Sequence, residues 1–313
     1  MRNFSAALAT LGLTAMALTG CAVTDSSASC TRPQSTDPSS MGAITVTGAA
    51  NSKPHVRVLT PFRTADVRPQ IVESGSGTPI TDGDQSVLLD LTIISGETGK
   101  ELFATQYNGD PSQVTSLSGW TSSIPALSGA LECAQAGSRV SLALPGSELR
   151  TEIASQLGLG KDESVILVVD VQKVYRPRAA GDLVYNTAQG LPSVVRAADG
   201  RPGISVPGTN PPEKRVLQTL IRGDGAAIQP GDVPRVNYTV LDWDDPAKLQ
   251  TTWDAEPRPL TIENAGTELI DALVGQTVGS QVLVVLPTAQ TADQPGPTLV
   301  SVIDILGIDE PPA

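Results

Sequence analysis

Two stretches of this sequence, LSGALECAQAGSRVSLALP at residues 127–145 and LIDALVGQTVGSQVLVVLP at residues 269–287, align without a gap. Leu, Ala-Leu, Gly-Ser, Val and Leu-Pro coincide, a run of matches that composition alone would rarely produce. The likeness extends outward. Upstream, Gly75-Ser76-Gly77 with Gly83-Asp84 corresponds to Gly223-Asp224-Gly225 with Gly231-Asp232; downstream, SVILVVDV at 164–171 corresponds to TLVSVIDI at 298–305. Lys53-Pro54-His55-Val56 resembles Leu191-Pro192-Ser193-Val194 and marks the openings. The chain therefore reads as two copies of one domain, residues 50–178 and 186–310, joined by a linker at 179–185.

Each copy reads as mostly β. Runs at 87–94, 139–144, 165–171, 281–286 and 299–306 are short, rich in Val, Ile and Leu, and bounded by Gly, Pro or Asp, which suits strands. One short helix is expected per copy. In the second, Thr267 is the expected N-cap, Leu269, Ile270, Leu273 and Val274 form an apolar stripe, and Gly275 ends it. In the first, the helix is expected over 123–133 with Pro125 in its first turn. One helix against a bent antiparallel sheet is an α+β domain.

Length and composition agree with this and narrow the function. At roughly 150 residues per domain, 313 residues suit two domains. With 29 Gly and 25 Pro the chain is turn-rich, and with 40% hydrophobic residues it is globular. A net charge of -12 argues against nucleic-acid binding, which needs Lys and Arg to neutralise phosphates. A single histidine, His55, leaves no histidine metal site or triad; no metal and no cofactor is expected. The acidic group Asp242, Asp244 and Asp245 lacks the periodic oxygen spacing of a calcium loop and reads as a solvated turn before Pro246. Aromatic residues are scarce, at 3%.

The N-terminus gives the compartment. Residues 5–20 (SAALATLGLTAMALTG) follow the basic Arg2, are apolar and small, and read as a secretory signal peptide over residues 1–20. Leu18-Thr19-Gly20-Cys21 resembles the lipobox of bacterial lipoproteins, with Cys21 the lipidated residue and 21–49 a Ser-, Thr- and Pro-rich tether. An extracytoplasmic, membrane-anchored protein is expected. Two cysteines then remain, Cys30 and Cys133, an even number in an oxidising compartment. A disulfide between them is expected, closing a loop of about 100 residues worth up to about 4 to 5 kcal/mol in the chain-entropy model; two free thiols are the alternative.

The second copy resembles FKBP-type peptidyl-prolyl isomerases through IRGDGAAIQPGDVPRVNYTV (221–240), TTWD (251–254), LVGQTVGSQVLVVLP (273–287) and TLVSVIDILG (298–307). The first keeps the frame through Ile124-Pro125, AGSRVSLALP (136–145) and its VVDV end. The whole resembles a tandem-domain bacterial lipoprotein of actinobacterial type. The resemblance implies two tandem FKBP-like domains, each a bent antiparallel sheet wrapped on one short helix.

It also implies a pocket. Prolyl isomerisation crosses an amide barrier of about 18 to 20 kcal/mol, which a dry pocket shaped for the twisted amide lowers. In the second copy Tyr238 falls on the family's strand tyrosine and is the candidate hydrogen-bond donor; a half-buried strand tyrosine is the alternative. Leu249, Ile262 and Leu269 are the other candidate substrate contacts, Leu269 standing where the family has its floor tryptophan. In the first copy Phe103, Ile124 and Leu127 fall on pocket positions, Ala104 replaces an aspartate, and Asp90 or Leu91 replaces the tyrosine. Trp253 either contacts peptide or covers core. The expected function is a weak peptidyl-prolyl isomerase or folding helper acting on proline-containing segments of secreted proteins, with docking between Tyr238, Ile262 and Leu269. The alternative is a non-catalytic module that keeps the fold for peptide or protein binding.

Overall fold

The computed structural model describes residue 30 and residues 41–160, 162–185, 188–291 and 294–310. The expected signal peptide, the lipidation residue Cys21 and most of the expected tether lie outside them.

The apolar runs are strands, longer than their sequence cores. The first half comprises β1 (Ile44–Thr47), β2 (His55–Val58), β3 (Arg68–Glu73), β4 (Ser86–Ser95), β5 (Glu101–Ala104), β6 (Thr115–Ser116), β7 (Arg139–Pro145) and β8 (Ser164–Val174), with helices α1 (Leu117–Thr121), α2 (Leu127–Leu131) and α3 (Thr151–Gln156). The second comprises β9 (Asp182–Leu183), β10 (Ser193–Arg196), β11 (Pro202–Ser205), β12 (Val216–Arg222), β13 (Val233–Asp242), β14 (Leu249–Thr251), β15 (Arg258–Pro259), β16 (Gln281–Thr291) and β17 (Gln294–Asp309), with helices α4 (Ile262–Ala265) and α5 (Thr267–Leu273). One antiparallel sheet runs β3-β7-β8-β4-β5 with β6 also on β4; the other runs β12-β16-β17-β13-β14 with β15 also on β13 and β9 beside β12. The shared strand order carries the sequence repeat into three dimensions. Leu91 pairs with Val169 as Tyr238 pairs with Ile303.

Both faces of each sheet are covered. In the first half Val87, Leu89, Leu91 and Ile93 of β4 join α2 in one core, while Ile94, Ala143 and Ile166 face the β1–β2 hairpin in another. In the second, Val282 and Ile303 pack with α5, and Leu283 and Val302 pack toward the β10–β11 hairpin. Double burial explains why all ten residues of β4 are buried, the polar Asp90 and Thr92 among them.

Three expectations are corrected here. Residues 41–49, assigned to the tether, belong to the fold: Met41 and Ile44 are buried and Ile44–Thr47 is a strand. The match of Lys53-Pro54-His55-Val56 to Leu191-Pro192-Ser193-Val194 is not structural, because His55 opens the second hairpin strand and Ser193 the first. The structural counterparts are AANSKPHV at 49–56 and AADGRPGI at 197–204, which run through the hairpin turns. Nor is there one helix per half. The helix expected over 123–133 is reduced to α2, because Pro125 lies in a preceding turn and Cys133 adopts a left-handed conformation, φ 60°. Ser116 caps the unforeseen α1, accepting from the Gly119 N–H. The helix at Thr267 begins where expected, but Gly266 is its N-cap and α4 precedes it. Cys30 and Cys133 are both disulfide-bonded. Among the described residues no helix is long and apolar enough to cross a membrane.

The hairpin-facing side of each sheet carries one buried polar row. In the first half Arg139, Asp170 and Asp90 lie in register on three neighbouring strands; in the second, Gln281, Asp304 and Asn237 do. Arg139 donates to Asp170 through Nε at 2.8 Å and Nη2 at 3.0 Å, and to the carbonyls of Gly48 and Ser52. The Asn51 N–H also donates to Asp170, so the row binds the β1–β2 turn to the sheet. Gln281 Nε2 and the Ala179 N–H donate to Asp304. Burial raises the Asp170 carboxyl against its bonds to Arg139, and pushes Asp304 up to about 6 against those from Ala179 and Gln281.

The halves belong to one compact unit. Tyr175, fully buried at the end of the first half, donates to Asp309 at 2.7 Å and packs with Leu88, Val114 and Leu306. Arg235 also binds Asp309, and its guanidinium carbon lies 5.2 Å from the centre of the Tyr175 ring. Gly307 passes so close that a Cβ there would meet Tyr175 Cδ1 at 2.5 Å.

Arg139→Ala should cost about 3 to 5 kcal/mol in urea unfolding, because it strands a buried carboxylate; Arg139→Gln, matching Gln281 of the other half, should cost less. An acid whose folded pKa is raised adds stability that is present below its unfolded value and is lost as pH rises through the folded one. The stability difference between the chain and Asp304→Asn should therefore change by about 2 to 3 kcal/mol between pH 4 and pH 7, with the variant gaining relative stability at the higher pH.

Candidate functional site

The sequence candidates separate when placed on the fold. In the second half Tyr238 of β13 and Leu269 of α5 both pack, partly buried, on the core between sheet and helix. Leu249 and Ile262 are 52% and 57% exposed. In the first half Phe103 and Ile124 line one hollow, a mainly apolar cleft of about 400 Å³, with Trp120, Leu91 and Ile153 among its other walls. Leu127 is 1% exposed and belongs to the core. Its N–H donates to the Ile124 carbonyl at 3.1 Å, which fixes the chain between wall and core. Of the two residues offered for the tyrosine position, register and burial select Leu91, which faces the cleft; Asp90 accepts from the Thr105 hydroxyl, the Tyr107 N–H and Gln172 Nε2.

Short elements set the cleft walls. Phe103 lies on β5, at an edge of the sheet, and is 45% exposed. Trp120 sits on α1, whose end turns into Ile124 through an Ile124 N–H bond to the Trp120 carbonyl at 3.0 Å. Ile153 comes from α3, with Gln156 and Leu157 completing that side. The start of α1 is held from the second half: Glu256 accepts from the Thr115 hydroxyl at 2.7 Å and from the Ser116 N–H at 3.0 Å. Burial works to raise the Glu256 carboxyl, but these hydrogen bonds outweigh it and hold the group below its usual range. Trp120 Nε1 is buried and has no hydrogen-bond partner among the described residues.

The arrangement offers apolar surface with few polar groups, mainly Thr115, Ser123 and Gln156. Such a site suits an extended apolar segment and offers no nucleophile paired with a base. Sequence reasoning missed Trp120, Ile93, Ile153 and Leu157. Trp120 lies outside the aligned repeat, yet Ser116-x-x-Gly119-Trp120 next to Ile124-Pro125 carries a usable signal: a serine cap and an aromatic just before a candidate pocket position. The two other tryptophans do structural work. Trp243 is buried and donates to the Thr209 carbonyl at 3.0 Å, and Trp253 lies beside the Gly200 turn. Of the acidic group, Asp242 closes β13 and Asp244 and Asp245 follow it, with Lys248 3.3 Å from Asp245.

A wall residue and a core residue should respond differently to truncation. Leu127→Ala should cost about 2 to 5 kcal/mol in urea unfolding, whereas Phe103→Ala should cost less than about 1.5 kcal/mol because much of the ring is already in water.

No protein-family model matches the chain, and no curated protein does. Among solved structures it is similar to the three FKBP domains of wheat FKBP73, at 15% identity over 77% of this chain and 94% of that one, with a TM-score of 0.32. It is also similar to FkpA from Escherichia coli, at 19% identity over 39% of this chain and 53% of that one, TM-score 0.28. A third is the putative peptidyl-prolyl cis-trans isomerase FKBP12 from Mycobacterium tuberculosis, at 21% identity over 32% of this chain and 87% of that one, TM-score 0.24. The structural neighbours of this mostly β chain are FKBP-type proteins, multi-domain ones among them.

Proposed function

We propose that the chain is a pair of FKBP-like domains whose first half binds proline-containing segments of extracytoplasmic proteins and isomerises them slowly. The observation that carries this is the apolar cleft holding Phe103 and Ile124, two positions that the family resemblance assigns to the pocket. Trp120 adds an aromatic wall that partly offsets the loss of a floor tryptophan at Leu127. The apolar surround favours a twisted amide, which has lost its resonance dipole, over the planar one. Leu91 in place of tyrosine and Ala104 in place of aspartate remove polar groups that would help, which is why slow turnover is proposed. The second half serves as the buttress of α1 through Glu256. The signal-like N-terminus and Cys21 support a lipid-anchored location outside the membrane, where proline isomerisation can limit the folding of secreted chains.

The same substitutions support a second reading, a binding module without catalysis. Line-shape or exchange NMR on X-Pro peptides with the chain from residue 22 onward separates the two. Exchange above the uncatalysed rate is expected, with the double variant Phe103→Ala, Ile124→Ser losing about tenfold or more in kcat/KM and Tyr238→Phe leaving it unchanged. Binding without acceleration selects the module; neither binding nor acceleration defeats both readings.

A further inference from the structure

Phe103 and Trp120 line two hollows. One is the apolar cleft. The other, about 320 Å³, contains Asp90 and Asp110 together with Asn108 and Gln113, and none of its lining residues is Lys or Arg. We propose that this second hollow takes the Lys or Arg side chain of a residue flanking the bound proline, so that the substrate class is a basic X-Pro segment. The proposal rests on the reading of the apolar cleft as an X-Pro site.

Spacing, side-chain chemistry and charge support it. Phe103 and Trp120 border both hollows, so neighbouring residues of one segment, about 3.8 Å apart, can enter the two. A lysine or arginine has an apolar stem to lay along those rings and a charged head to reach beyond them. The carboxylates are not equally engaged. Asp90 uses both oxygens, on Thr105, Tyr107 and Gln172, whereas Asp110 uses one oxygen on the Ser112 N–H, leaving the other without a partner among the described residues. Asp110 is therefore the group that meets the incoming cation. The net charge of -12 draws basic segments toward the molecule from a distance.

The test is calorimetric titration of the chain from residue 22 onward with two peptide sets, Ala-Xaa-Pro-Ala and Ala-Pro-Xaa-Ala, with Xaa as Lys, Leu or Glu. In one set Lys should bind about fivefold to tenfold more tightly than Glu at low ionic strength, shrinking to within about twofold at ~1 M salt. Asp110→Asn keeps a side-chain oxygen for the Ser112 N–H and should reduce the Lys-over-Glu ratio to within about twofold. Equal binding of Lys, Leu and Glu peptides, or a ratio that survives Asp110→Asn, overturns the basic-segment inference alone. Failure of every peptide to bind overturns the X-Pro reading and this inference with it.

Discussion

The buried polar row on each sheet is the constraint from which the rest of the structure follows. A sheet covered on both faces buries every residue of a strand such as β4, so exposure alone no longer distinguishes one register from the next. A carboxylate that cannot tolerate burial without its donors breaks that degeneracy. Asp170 can meet Arg139 and Asn51 in one alignment only, and Asp304 can meet Gln281 and Ala179 in one only. The first row also reaches past the sheet to the Gly48 and Ser52 carbonyls, which puts the β1–β2 hairpin over the second face. Register and coverage are thus fixed by the same few atoms, at the cost of desolvating a charge.

With a hairpin over that face, the apolar cleft of the first half lies on the helix side, at the sheet edge. There the halves differ. Leu91 and Tyr238 occupy equivalent places, yet in the first half the neighbouring elements leave a hollow, and in the second Tyr238 packs on the core. The second half meets the first through Tyr175, Arg235, Asp309 and Glu256, and the last of these ends at the helix that carries Trp120.

Much of this is legible in the residues. The Gly-Ser-x-Val frame locates β7 and β16, and their Val- and Leu-rich partners locate β8 and β17, because long apolar strands have few other ways to read. The hairpins are hidden by a better-looking local match: Lys53-Pro54 aligns with Leu191-Pro192, while the true counterpart, the Ala-Ala-Asn/Asp turn, begins inside what composition marks as tether. Short helices escape for a related reason. A five-residue helix such as α1 shows too little of a 3.6-residue period to stand out, and its identity rests on a serine cap and on Glu256 from far along the chain. Phe103 and Ile124 are named by resemblance, but that they line one cleft depends on how side chains fill space, which no linear pattern encodes.

The approach of Gly307 to Tyr175 has one more consequence. A duplicated domain ordinarily retains the option of independent life, since each copy inherits a complete interior. Here the last residues of β17 lie against a tyrosine contributed by the other copy, and Leu88, Val114 and Leu306 share the interior it occupies. Cleavage between the copies would open that interior on both sides at once.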